Sequence, residues 1–321
     1  MNMKRLLAIF LVVLMVISMT ACTQNENKDD EKYVVGICQL VQHEALDAAT
    51  KGFKDALVKE LGDKVTFEEK NASNEAPACT TIINGFVASN VDLIMANATP
   101  ALQAAVAGTD KIPVLGTSVT DYASALELDN WTGTVGGNVS GTSDLAPLAD
   151  QAAMIKELFP DKKNVGLLYC IGEPNSQYQV DVITVELEKL GYTVKPYGFT
   201  DTNDVSSVTQ AACSASDVIY IPTDNTAAAN TEAIANVVLA AKVPVVAGEA
   251  GICGGCGVAT LSIDYYDLGY ATGLMAAKIL TGQADISTMP VETASKFTKM
   301  YNAENCAALG ITVPEGYTTL N

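Results

Sequence analysis

Arginine is all but missing from this chain: Arg5 is the only one in 321 residues. A carboxylate or phosphate bound elsewhere must be met by Lys, hydroxyls or backbone N–H groups, without the two-pronged grip of a guanidinium. Histidine is nearly absent too. His43 is the single one, so no paired-histidine metal motif exists, and no Ser-His-Asp order, Gly-rich phosphate loop or nucleophile elbow accompanies it. Cys38 lies five residues away across a strand end, poor geometry for a thiol–imidazole pair with no third group to orient the ring. Basic charge is also scarce. Without Lys4 and Arg5, 17 basic residues face 37 acidic ones, a net charge of −20, which argues against nucleic acid or anionic lipid as a partner. No solenoid-type repeat runs through the chain. These absences weigh against an enzyme, a nucleic-acid binder and a metal site, and no cofactor is expected.

What is present begins with an export signal. Residues 1–21 carry a basic start (Lys4, Arg5), an apolar run over 6–17 and a close in small residues. That run is too short to span a bilayer and reads as a signal peptide. The stretch Met19-Thr20-Ala21-Cys22 resembles a bacterial lipobox, in which Cys22 becomes the lipidated first residue; the alternative is a plain signal peptide with an incidental Cys. Residues 22–32 are polar and charged, as a flexible tether requires. The expected location is the outer face of the cytoplasmic membrane, held by acyl chains alone. Eight Cys become seven if Cys22 is acylated, an odd number that leaves at least one free thiol. Cys253-Gly-Gly-Cys256 is the one close pair. It reads as a loop holding a local disulfide or two plain thiols, rather than a zinc or redox motif.

From Tyr33 onward strands and helices alternate. Strands are expected at 33–38, 65–69, 92–95 and 113–116, with helices at 45–61, 77–89 and 99–107 between or after them. The alternation restarts with helices at 145–159, 175–190, 204–213 and 226–241 and strands at 165–169, 193–197, 217–222, 244–248 and 258–263. Two runs of this kind imply two doubly wound α/β lobes, Rossmann-like, each a parallel sheet covered by helices. Glycine-rich "WTGTVGGNVSGTSD" (131–144) reads as a linking strand. "YYDLGYATGLMAAKILTG" reads as a returning helix closed by Gly282, followed by a return strand and a short helix near 304–309. The lobes then divide as 33–137 plus 265–285 and 138–264 plus 286–321, joined by a hinge of several strands.

Six blocks in order, "VGICQLVQHEALDAATKGFKDAL", "VDLIMANATPALQAA", "VLGTSVTD", "VGGNVSGTSD", "YIPTDNT" and "SIDYYDLGYATGLMAAKILTG", resemble the lipoprotein substrate-binding subunits of ABC importers. The nearest group is the tryptophan- and tyrosine-type binding proteins. The resemblance covers about residues 33–317. It implies the type I periplasmic-binding fold, a small amino-acid ligand with an aromatic side chain, a membrane permease partner and, through it, a cytoplasmic ATPase. A sugar or nucleoside ligand, and a sensor that docks to a signalling partner, are the alternatives on the same fold.

In open α/β sheets ligands bind beyond the carboxyl ends of the strands. In the first lobe that places Gln39, His43, Ala98, Thr99, Ser118, Thr120 and Asp121 at the cleft; in the second, Asn175, Ser176, Asp224, Asn225 and Glu249. Helix openings after Ala98 and Thr99, with the Ser118 and Thr120 hydroxyls, would receive a carboxylate in the absence of Arg. Asp224, in "IYIPTDNTAAAN", either pairs with a ligand ammonium or merely caps the following helix. Asp121 and Glu249 are rival anchors. His43, as a lone His, more readily caps or packs than binds metal. Trp131 and the Tyr265–Tyr266 pair read as packing at the linkers.

Overall fold

The computed structural model describes residues 32–320. The signal peptide, Cys22 and all of the tether but Lys32 lie outside the described residues. Among the described residues no helix is long and apolar enough to cross a membrane.

The first sheet is built by β1 (Tyr33–Gln39), β2 (Val65–Asn71), β3 (Leu93–Asn97), β4 (Val114–Val119) and β5 (Val139–Ser143), in spatial order β2-β1-β3-β4-β5, all parallel. Three helices connect them: α1 (Glu44–Leu61), α2 (Ala76–Ser89) and α3 (Thr99–Gly108). A short α4 (Tyr122–Ala125) follows β4. β3 and β4 are buried along their whole length, as inner strands of a parallel sheet covered on both faces are.

The second lobe repeats the winding. α5 (Leu148–Leu158) leads into β6 (Asn164–Cys170), α6 (Pro174–Lys189), β7 (Thr193–Phe199), α7 (Val205–Cys213) and β8 (Val218–Ile221). Then come α8 (Asn225–Ala228), α9 (Thr231–Ala241), β9 (Val245–Ala247), α10 (Ala250–Cys256) and β10 (Ala259–Ser262). Its parallel strands order as β7-β6-β8-β9-β10, so both sheets show the same switch of winding direction beside their first strand. The chain returns to the first lobe with α11 (Tyr265–Leu280), whose Met275 and Ala276 pack with Phe53 and Leu57 of α1 against Val35 and Ile37 of β1. β11 (Glu292–Thr293) joins β5 in parallel, β12 (Thr298–Tyr301) pairs antiparallel with β10, and α12 (Ala303–Leu309) and β13 (Thr318–Thr319) finish the second lobe. Three segments therefore cross between lobes: after Ser143, after Ser262, and between Thr293 and Thr298.

The two expected doubly wound lobes are present, but both boundaries move. β5 was assigned to the second lobe by the division at 137, yet it hydrogen-bonds alongside β4, and β11 extends that same sheet. The single return strand is thus two strands in different sheets. The helix expected over 226–241 breaks at Ala229–Asn230: the Asn230 side-chain amide donates to the Thr226 carbonyl at 2.7 Å, and its own backbone N–H turns to Ala227 O, a local bond that competes with the helix ladder. Cys253-Gly-Gly-Cys256 is helix, not loop. Glu249 caps α10 through the N–H groups of Gly251 and Ile252, which fixes the first turn. Ile252, Cys253 and Cys256 then share the buried face, both cysteines as free thiols.

Candidate functional site

Strand ends from both sheets meet at a small closed cavity between the lobes. The first lobe brings His43, Ala45 and Leu46 from the start of α1, Ser118 and Thr120 from the end of β4, Asp144 from the end of β5 and Tyr265 from the start of α11. The second brings Asn175 after β6, Thr223, Asp224, Asn225 and Ala228 after β8, and Glu249 after β9. Hydrogen bonds cross the cleft at two points: Asn74 Nδ2 donates to Thr226 Oγ1 at 2.9 Å, and His43 Nε2 lies 3.3 Å from Asn225 Oδ1. The lobes are closed upon each other.

Backbone strain gathers on the first-lobe wall. Ser118 has φ +53 at the irregular end of β4, where its pairing with β5 slips between Gly116 and Val119. Ala98, on the neighbouring strand end, has φ +91 and ψ 159, a region all but reserved for glycine. Non-glycine residues are kept in such conformations where the surroundings demand them, which is characteristic of ligand clamps.

The second-lobe wall is held by carboxylates. Asp224 Oδ2 accepts from the Cys170 N–H at 2.6 Å and the Ser176 hydroxyl at 2.7 Å, and Oδ1 accepts from the Ala227 N–H at 2.7 Å. Glu173 receives the backbone N–H groups of Asn225 and Thr226, the Asn225 amide and the Thr226 hydroxyl, all within 2.9 Å. Burial, with the Glu173 charge added, pushes Asp224 up to about 8, and burial takes Glu249 to about 7 against its two backbone hydrogen bonds. Burial also raises Asp144, while Tyr265 and Thr120 pull it back, and it depresses His43.

Of the expected site residues, His43, Ser118, Thr120, Asn175, Asp224, Asn225 and Glu249 line the cavity. Gln39 does not: its amide donates to Val41 O and Asp47 Oδ1 and it accepts from Thr50, all within its own lobe. Ala98 and Thr99 are buried behind the wall. Asp121 caps α4 through the Ser124 N–H, and Ser176 reaches the cavity only through Asp224 and Asn175. Asp144 was not among the expected contacts, and Tyr265 was expected to pack at a linker. Asp144 sits at the carboxyl end of a parallel strand of the first sheet, the place the strand-end rule selects, and it was missed because residues 131–144 were read as a link between lobes rather than as a strand of either sheet.

Among the described residues, six buried side-chain polar atoms have no hydrogen-bond partner, and three of these, Ser118 Oγ, Asp144 Oδ1 and Asn175 Oδ1, belong to residues lining this one cavity. Unpaired buried polar atoms are costly, and their convergence from both lobes marks a place built to surround something polar. Fold and cavity together define a two-lobed protein that closes over a small molecule. The family model for ABC transporter substrate binding proteins matches residues 34–319, and the chain belongs to that family. It is accordingly the extracytoplasmic component that receives a small molecule for a membrane permease.

The chain is 34% identical over 320 residues to a tyrosine-binding protein of Clostridioides difficile (strain R20291), covering 95% of this chain and 92% of that one. It resembles an ABC domain in complex with L-Trp from Streptococcus pneumonia with a TM-score of 0.86 and 32% identity, over 90% of this chain and 100% of that one. A ligand-free, open substrate-binding protein with adhesive properties from Clostridium difficile gives 0.69 at 36% identity, over 90% and 99%. The better fit to the ligand-bound protein, despite lower identity, agrees with the cross-cleft hydrogen bonds.

Proposed function

We propose that this protein captures a free amino acid with an aromatic side chain in the interlobe cavity and presents it to a permease driven by a cytoplasmic ATPase. Lipidated Cys22 would hold it to the outer face of the membrane. The role is binding and release by hinge closure, with no covalent chemistry. The observation that carries the reading is the cavity's polar pattern. Unpartnered acceptors and a hydroxyl converge there, no Lys is present among the lining residues, and three carboxylates are. Such a lining suits a ligand that brings its own positive charge. The relatives that bind tyrosine or carry L-Trp support an aromatic amino acid within that class. A ligand touching both lobes favours the closed form by its differential affinity for it.

A thermal-shift screen of the purified protein against the twenty amino acids, common sugars and nucleosides tests this. The expected outcome is a rise in Tm with tyrosine, tryptophan or phenylalanine that grows with ligand concentration. A rise with sugars or nucleosides alone would refute the amino-acid reading.

A further inference from the structure

We infer that Asp144 holds the ligand's ammonium group; the inference rests on the amino-acid reading above. Three carboxylates line the cavity, and two have both oxygens hydrogen-bonded within the second lobe. Glu249 gives both oxygens to the N–H groups opening α10, and Asp224 gives both of its own to Cys170, Ser176 and Ala227. Asp144 differs. Its Oδ2 accepts from the Tyr265 hydroxyl at 2.8 Å and the Thr120 hydroxyl favours its charged form, while no hydrogen bond reaches Oδ1 although the residue is only 4% exposed.

A buried carboxylate oxygen without a donor is unstable unless something supplies one. The protein supplies no cation: the lining holds no Lys, and burial depresses the lone His43 and so disfavours its charged form. An ammonium meets both needs, charge and N–H donors, at one oxygen.

The position also couples binding to closure. Asp144 opens the first crossing between the lobes and Tyr265 ends the second, so their hydrogen bond ties two hinge segments together at the ligand. Asn175 faces the same cavity from the opposite lobe. Its Nδ2 is engaged by Glu173 Oε2 and the Thr223 carbonyl, which fixes its unpartnered Oδ1 as a second acceptor. A group held at Asp144 can therefore also be reached from the second lobe.

Isothermal titration of the protein with tyrosine, tryptophan and phenylalanine, and with the same molecules lacking the α-amino group, tests the assignment. Asp144→Asn is expected to weaken amino-acid binding roughly 100-fold while changing the affinity for the des-amino analogues only a few-fold. If Asp144→Asn does not fold, Asp144→Glu keeps the charge but displaces it, and the same split between the two ligand sets is expected. Equal losses for both sets, unchanged amino-acid affinity, or loss of the discrimination in Asp224→Asn instead would overturn the role of Asp144. Failure of the wild-type protein to bind any amino acid would overturn the parent reading instead, so the two failures are told apart.

Discussion

Asp224 commits both carboxylate oxygens to its own lobe, where it stitches the end of β6, the start of α6 and the start of α8 to one another. Removing it leaves two backbone N–H groups and a hydroxyl without an acceptor in a place water does not reach. Asp224→Ala is therefore expected to lower the unfolding free energy by about 2–4 kcal/mol, read as a shift of the denaturant midpoint, while the folded fraction keeps its amino-acid affinity within a few-fold. A large loss of affinity with unchanged stability would refute this division of labour. From sequence, a cap and an ammonium partner were both open for Asp224, since both follow from a carboxylate between strand and helix. What separates them is how many donors reach each oxygen, and those donors come from Cys170 and Ser176, some fifty residues earlier in the chain. The Asp144 case fails differently. The residue was legible as a strand end, but which sheet its strand belongs to depends on pairing with β4, and a glycine-rich strand carries little side-chain information about its neighbour.

At the scale of elements, the returning helix shows what sequence periodicity reports well. Its apolar spacing and terminal Gly282 placed α11 correctly, but the spacing says nothing of what its glycines do. Their task is close packing. A Cβ on Gly269 would stand 1.9 Å from Ala49 O, one on Gly273 2.5 Å from Phe53 O, and one on Gly52 of α1 2.1 Å from Tyr266 O. The glycines let two helix backbones touch. Gly269→Ala should thus destabilise the protein by about 1–3 kcal/mol through overpacking, even though alanine is the better helix former by about 1 kcal/mol. Gly254→Ala in α10 is the matched control, since nothing lies within 4 Å of its Cβ position and only the propensity gain remains. Chemical denaturation of both variants checks the opposite signs; stabilisation by both would mean that α1 and α11 do not approach so closely. The same α10 was read as a loop because two glycines lower helix propensity, a weak local preference that the Glu249 cap and the burial of Ile252, Cys253 and Cys256 override.

For the whole molecule, closure gathers like charges. Asp144 from the first lobe meets Asp224 and Glu249 from the second around one cavity, with Glu173 behind and Glu44 acting on Glu249. In the closed form Asp224 rises from 3.8 to about 8 and Glu249 from 4.5 to about 7, burial being the main cause of each. Asp224 owes its shift to groups of its own lobe, but Glu249 feels Glu44 and Asp144 across the cleft, and parting the lobes relieves it of both and returns it toward its ordinary value. Between the ordinary and raised values the closed form binds more protons than the open one. Acid therefore favours closure, and that advantage is lost as pH rises through about 7. His43 acts the other way, because burial lowers its pKa, so its protonation opposes closure. It is one group against Asp144 and Glu249, both raised by burial and facing each other across the cleft, and its bond to Asn225 and the charge of Glu173 partly offset its shift. Small-angle scattering of the unliganded protein should give a smaller radius of gyration at pH 5 than at pH 8.5, approaching the roughly 19 Å of a compact chain of this length. An amino-acid ligand should bring about the same contraction at pH 8.5, since its ammonium replaces the protons that acid would supply. An unliganded radius that stays constant across this range would show that carboxylate repulsion does not hold the lobes apart, and that the cleft closes on its cross-lobe hydrogen bonds alone.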